Sequence, residues 1–196
     1  MVSEHLYLGF LGLLALERVG ELWLSRRNAA WAFAQGGVER GQAHFRWMKL
    51  LHTLFLFACA AEVLWWPRAF VPELGYPMLA VALLAQGLRY WAIGSLGTHW
   101  NVRVIVVPGA QAVRRGPYRF LRHPNYLAVI LEGLAVPLMH SAIVTAALFT
   151  VLNAWLLVIR IRCEEAALSE HCNYDQRLGN RRRLIPAAPS GAGELS

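Results

Sequence analysis

Residues 124–160 read PNYLAVILEGLAVPLMHSAIVTAALFTVLNAWLLVIR, and Glu132 is the only Asp, Glu, Lys or Arg ahead of Arg160. A helix that crosses the hydrocarbon core needs ~20 mainly apolar residues, fewer where one end borders a protein-lined cavity. The stretch therefore divides into two spans, at about 124–140 and 142–159, joined by so few residues that they form a tight antiparallel hairpin. Three more segments qualify upstream, at about 6–24, 50–66 and 78–96, with Pro67, Pro72 and Pro77 punctuating the connection between the last two. The expected fold is an all-α integral membrane protein of about five transmembrane helices.

Composition agrees with that reading. Of 196 residues, 57% are hydrophobic and 16% charged, and the mean hydropathy is +0.38. Ordinary soluble domains carry about 45–50% apolar and ~25% charged residues, so a soluble globular enzyme, a disordered chain and a fibrous one are all excluded. The length suits one domain, 1–186, followed by the tail AAPSGAGELS at 187–196, which has no periodicity and is expected to be disordered. The N-terminal segment has no basic region before its apolar run, so it is expected to be a retained first span rather than a cleaved signal. Cys59, Cys163 and Cys172 are odd in number and lack C-x-x-C spacing, which supports neither a disulfide framework nor a metal site.

The net charge of +7 acquires meaning from its distribution. Arg26, Arg27, Arg40, Arg46 and Lys49 lie between spans one and two. Arg103, Arg114, Arg115, Arg119 and Arg122 lie between spans three and four, and Arg160, Arg162, Arg177, Arg181, Arg182 and Arg183 follow span five. Only Arg68 falls on the opposite side. Lys and Arg of short loops stay in the cytoplasm, so the N-terminus is expected outside and the C-terminus inside. The charge thus fixes orientation, with attraction to anionic headgroups as a secondary effect. A nucleic-acid partner, which calls for a soluble basic face, is not indicated.

Ionisable residues inside spans are costly and raise a functional question. Glu17 and Glu21 share one helical face beside Arg18, with Arg89 or the first basic loop as candidate partners. Glu132 either faces a polar cavity or pairs across the bundle, and Glu62 is expected to reach the membrane interface. Two cytoplasmic segments exceed simple turns. Residues 101–123 contain the β-rich VRVIVVPG and read as an ordered loop, and residues 160–178 place Ile161, Ala167 or Leu168, and Cys172 at helical spacing, which predicts an amphipathic helix continuing span five.

The polar residues concentrate there. Gly116-Pro117-Tyr118 begins a tight turn. Arg122-His123-Pro124-Asn125-Tyr126 ends at a helix start whose free N–H groups can receive an anion. Arg160 and Glu164 lie one turn apart on one face, beside Glu165 and before Tyr174. The plainer readings are an exposed i,i+4 salt bridge and a helix-capping His123.

The succession GPYRFLRHPNYLAVILEG, then an apolar hairpin, then RIRCEEAAL, NYDQRL and RRRLIP resembles the isoprenylcysteine carboxyl methyltransferase family, with phospholipid N-methyltransferases as broader relatives. The likeness covers roughly residues 88–186. ERVGELWLSRRN, GGVERGQAHF and Leu51-His52 further resemble bacterial members, some associated with phenolic lipids. The resemblance implies an integral membrane methyltransferase using S-adenosylmethionine, with a cytoplasmic cofactor pocket formed by the loop before span four and the C-terminal helix. By that likeness Gly116, Pro117, Tyr118, Arg122, His123, Pro124, Asn125 and Tyr126 shape the cofactor pocket, closed by Glu165 and Tyr174 together with Glu164. Arg160 and Glu164 match polar residues near the methyl-accepting group. Arg89 and residues 97–101 match a stretch lining the substrate cavity, to which Glu132 is added as a cavity-lining candidate. No metal is expected.

Methyl transfer from a sulfonium is an in-line displacement, so positioning outweighs acid–base work. A carboxylate acceptor needs only a cation such as Arg160, whereas a phenol benefits from a base, with Glu164, Glu132 or His123 as candidates. The implied partners are the bilayer and an amphiphilic or prenylated acceptor. Rival readings are an NADPH-dependent membrane reductase of the sterol-reductase type and a non-catalytic transport or scaffold protein.

Overall fold

A computed structural model describes residues 2–174, 178 and 181–184; the tail at 187–196 lies outside the described residues. The elements in order are α1 (Val2–Ala34), β1 (Val38–Arg40), α2 (Gln42–Trp65), α3 (Pro72–Leu96), β2 (Val104–Val106), α4 (Pro124–Leu138) and α5 (Ile143–His171). Short 3-10 turns, Gly97–His99 and Gly116–Arg119, follow α3 and precede α4.

Among the described residues three helices are long and apolar enough to cross a membrane: α2, α3 with its following turn, and α5. Their outward faces carry apolar side chains that water would not solvate well; Phe57, Leu84, Val151 and Trp155 are 65–73% exposed. The other two expected spans fall short for physical reasons. Helix α4 is apolar but has 15 residues, about 22 Å of rise against a ~30 Å hydrocarbon core. Helix α1 has 33 residues, but Glu17, Arg18 and Glu21 interrupt its apolar run.

Small residues set the packing. Ala82, Ala85 and Ala92 of α3 and Ala128 and Ala135 of α4 are buried, and small side chains let helix backbones approach. At Gly133 a Cβ would lie 2.3 Å from the Phe149 ring, so glycine is what admits α5 there. Tyr7, Leu11, Phe55, Cys59, Val63 and Val136 complete this core. Within it Arg89 is bound by Glu132 through two hydrogen bonds, Nε to Oε1 at 3.1 Å and Nη2 to Oε2. Glu132 thus pairs across the bundle.

Three features differ from the sequence reading. Helix α3 begins at Pro72 and carries Pro77 inside it, six residues before the expected start. Proline at the first helical position removes an N–H that has no intrahelical partner anyway. Glu62 is buried instead of reaching the interface. Its carboxylate accepts from Thr145 N at 2.7 Å, Thr145 Oγ1 at 2.8 Å and Val144 N at 3.2 Å, and pairs with Arg68 at 2.7 Å. It therefore satisfies the free N–H groups at the start of α5 from a neighbouring helix. Finally, the β-rich run forms a strand: β2 pairs antiparallel with β1, Val38 opposite Val106 and Arg40 opposite Val104. Val104 and Val106 then pack on Ala167 near the end of α5, which runs unbroken through 160–171 as its periodicity required.

Candidate active site

The turn before α4 is fixed from two sides. Gly116 has φ +59°, and a Cβ there would lie 1.9 Å from Ser95 Oγ, so the turn sits directly against the end of α3. Arg115 Nε donates to Ser95 O at 2.8 Å. On the other side residues 181–183 run alongside: Arg122 N donates to Arg182 O at 3.0 Å, His123 N to Arg183 O at 3.1 Å, and Arg122 Nε to Arg181 O at 2.7 Å. Pro124 then starts α4, placing His123, Asn125 and Tyr126 beside the last turns of α5.

Two cavities meet at this place. The first, about 140 Å³, is lined by Tyr118, Arg122, His123, Glu164 and Tyr174 with residues 103–107 and 110–113. The second, about 560 Å³, runs between α1 and α2 past Leu11, Gly12, Leu56 and Phe57 to Arg18, Glu21, Lys49, His52 and Arg89. Trp100, Asn101, Asn125, Tyr126 and Arg160 line both. Two chambers, of which the first has the larger polar share and the second is largely apolar, thus share one wall.

That wall has a defined hydrogen-bond order. Arg160 is 4% exposed; its Nε donates to the Tyr126 hydroxyl at 2.7 Å and its Nη2 to Val102 O at 2.6 Å. The Tyr126 hydroxyl donates in turn to Glu164 Oε2. Arg160 Nη1 and Asn125 Oδ1 are buried without a hydrogen-bond partner among the described residues. A buried unpaired donor and acceptor cost free energy unless a ligand or water engages them, so they mark a place where one belongs.

Behind the first chamber lies a charge cluster. Glu165 accepts from His123 Nε2 at 3.1 Å and from Arg183 Nη2 at 2.6 Å, with Arg122 Nη1 at 3.5 Å. The apolar run of α5 ends at Ile159, and Glu165 lies beyond it. Burial alone would raise its carboxyl, but hydrogen bonds from His123 and Arg183 outweigh that and hold it at about 2. Burial pushes the Tyr118 and Tyr174 hydroxyls up, keeping both protonated. The Tyr174 hydroxyl sits 3.5 Å from His123 Nε2, and the His123 and Tyr126 rings stack at 5.2 Å.

Of the residues singled out in the sequence, Tyr118, Arg122, His123, Asn125, Tyr126, Arg160, Glu164 and Tyr174 line the first cavity, and Arg89 lines the second. Gly116 and Pro117 shape the turn behind it, Pro124 starts α4, Glu165 braces His123 and Arg183, and Glu132 braces Arg89. Sequence reasoning missed a latch that sets one rim. Ser25 Oγ donates to Asn101 Oδ1 at 2.7 Å, and Asn28 Nδ2 donates to Trp100 O at 2.8 Å and Gly97 O at 3.1 Å. Ser25 and Asn28 lie past the apolar end of span one, so hydropathy gave no signal; two small polar residues three apart on one helix face were the available clue.

The isoprenylcysteine carboxyl methyltransferase family model matches residues 78–170, which contain α3 from Met78 onward, β2, α4 and all of α5 except His171. The Bacillus subtilis protein called Uncharacterized protein YpbQ is 41% identical over 169 residues, covering 82% of this chain and 95% of that one. The chain belongs to the isoprenylcysteine carboxyl methyltransferase family. An uncharacterized protein of Haemophilus influenzae is 28% identical over 155 residues, 78% of this chain and 88% of its own. Family membership implies a membrane methyltransferase. The family segment builds the shared wall and most of the first cavity, to which Cys172, Tyr174 and Leu178 beyond it add, whereas α1 and α2, which supply most of the second cavity, precede it.

Proposed function

We infer that the protein is an integral membrane methyltransferase that uses S-adenosylmethionine and methylates an oxygen of a lipidic acceptor, a prenylcysteine-type carboxylate or a phenol or other small amphiphile. The observation that carries this reading is the shared wall of Asn125, Tyr126 and Arg160 between a polar and an apolar chamber. A polar donor and a greasy acceptor can then meet without either leaving its own solvent.

The residues of the first chamber suit S-adenosylmethionine. Tyr118, Tyr126 and Tyr174 with Glu164 offer ring faces and a carboxylate to a sulfonium cation, and Asn125 Oδ1 supplies an unpaired acceptor. When bound, that cofactor supplies an electrophilic methyl group. At about 140 Å³ the chamber is narrower than the ~300–1,000 Å³ of ligand pockets. Its outer wall, the coil 107–113, is the part we expect to yield, since it is tied to the end of α5 by Gly109 N to His171 O at 2.9 Å and Ala112 N to Asn173 Oδ1 at 3.3 Å.

On the acceptor side, the free Nη1 of Arg160 holds the acceptor oxygen, while Tyr126 and Val102 fix the guanidinium so that little ordering remains at binding. For a carboxylate this suffices. For a phenol, Glu164 receives the proton through the Tyr126 hydroxyl. The unspent positive charge at Arg160 disfavours an amine acceptor. We place five helices across the bilayer, α1 outside-in and the short α4 spanning because its inner end borders the chambers, with the C-terminus cytoplasmic as the basic loops require.

Transfer of radiolabelled methyl from S-adenosylmethionine, assayed with a farnesylcysteine analogue and with an alkylphenol, tests this reading. Label in either acceptor supports it. Label in neither, from folded protein that instead oxidises NADPH, favours the reductase reading.

A further inference from the structure

The second cavity carries a polar station that methyl transfer at Arg160 leaves unused. Its position along α1 is informative: the lining runs from Leu8 to Leu22, a rise of about 21 Å, or most of a ~30 Å hydrocarbon core. The Leu8 end is apolar, and charge enters only near the inner end, at Arg18 and Glu21 from α1 with Lys49 from α2. Glu21 is held through one oxygen: Oε2 pairs with Arg18 Nη1 at 3.0 Å. Its other oxygen, Oε1, is buried, has no hydrogen-bond partner among the described residues and lies 3.8 Å from Arg89 Nη1. The side chain is 10% exposed and lines the cavity.

A buried carboxyl group with one oxygen left without a hydrogen bond is costly. Arg89 binds Glu132 through Nε and Nη2, and its Nη1 faces Oε1 as an ion pair at 3.8 Å, too far for a hydrogen bond. What Oε1 calls for is a donor coming from within the cavity.

We propose that Glu21 is a specificity-determining residue, accepting a hydrogen bond from a hydroxyl or amide N–H that the acceptor carries in addition to the oxygen methylated at Arg160. This rests on the reading of the second cavity as the acceptor site and deepens it. The acceptor is an amphiphile with two polar groups on one head and a single apolar tail directed toward Leu8. The station comes from α1, outside the matched residues 78–170, so the acceptor is chosen by the part of the chain that the family segment does not include. A hydrogen bond to a carboxylate is worth about 10- to 100-fold in affinity.

The test uses the full chain in detergent and two matched pairs of amphiphiles: hydroxylated against plain tetradecanoate, and a dihydroxy against a monohydroxy alkylbenzene of equal tail length. Binding is measured by calorimetry, with S-adenosylhomocysteine binding recorded in parallel. In at least one pair the hydroxylated member binds wild-type protein about tenfold or more tightly. Glu21→Gln reduces that preference, Glu21→Leu removes it, and Glu17→Gln, whose residue pairs with Arg18 outside the cavity, leaves it intact. Equal affinity within both pairs for the wild-type protein overturns the proposal even if neither Glu21 variant folds, and so does a preference that survives in Glu21→Leu. Failure to bind S-adenosylhomocysteine counts against the methyltransferase reading alone, because the amphiphile comparison needs no cofactor.

Discussion

The two chambers are built on opposite principles. The more polar one is made where the start of α4 meets the end of α5, and the acids there are held by hydrogen bonds: Glu165 binds His123 and Arg183, and Glu164 binds Tyr126. The apolar one is assembled from helices far apart in sequence and leaves Glu21 Oε1 without a hydrogen-bond partner among the described residues. Arg160 belongs to both and has one free donor. A chamber for a fixed ligand can be closed and self-braced, whereas a chamber for a chosen acceptor keeps groups in reserve.

The sharpest way to break the comparison is the brace under the apolar chamber. Arg89→Met leaves Glu132 and Glu21 without their buried cation, and removing one partner of a buried pair costs ~3–5 kcal/mol. We expect a large fall in the thermal unfolding temperature in detergent, with substantial recovery in Arg89→Met/Glu132→Leu. An unchanged midpoint in the single variant would mean the pair does not hold α3 to α4.

Next comes the wall itself. Arg160→Ala should lower methyl-transfer turnover by about 10²-fold or more, the size seen when one positioned donor is removed from a reacting oxygen. S-adenosylhomocysteine affinity should change by only a few-fold. Equal losses in both would place Arg160 in cofactor binding instead.

The polar chamber responds differently. His123→Ala and Glu165→Gln should each weaken S-adenosylhomocysteine binding about tenfold, since a hydrogen bond to a charged group is worth ~1.5–3 kcal/mol and part is recovered by water. The folded Glu165 carboxyl sits at about 2, below its ordinary ~4.3. Its contribution is therefore fully present above the ordinary value and is lost as pH falls through that value toward the folded one. Wild-type stability should drop below pH ~4 more steeply than that of Glu165→Gln; identical pH profiles would contradict the brace.

The smallest effect concerns the turn. Gly116→Ala puts a side chain at φ +59° and against Ser95 Oγ, which should cost about 1–2 kcal/mol in thermal unfolding. A neutral outcome would show that the turn can withdraw from α3.

The same contrast explains what was legible in the sequence. RHPNY and RIRCEE are each compact in sequence, so these motifs and the family resemblance they carry pointed to Arg122, His123, Asn125, Tyr126, Arg160 and Glu164, which the first chamber gathers. The five-span pattern followed from hydropathy, yet α1 and α4 do not meet the length and apolarity that α2, α3 and α5 do. What stayed hidden depends on partners distant in the chain. Glu62 meets Thr145 across 83 residues and Ser25 meets Asn101 across 76, and no periodicity encodes such a pair. The strand β1 was hidden for a related reason: three residues, VER, become a strand only because β2 lies beside them.

The central claim, that the polar chamber is a methyl-donor site, is tested most directly by calorimetric titration of folded, detergent-purified protein with S-adenosylhomocysteine and, separately, with NADPH. Saturable binding of S-adenosylhomocysteine with none of NADPH is the result expected. NADPH binding, or no heat from S-adenosylhomocysteine in a sample that still unfolds cooperatively, would contradict it.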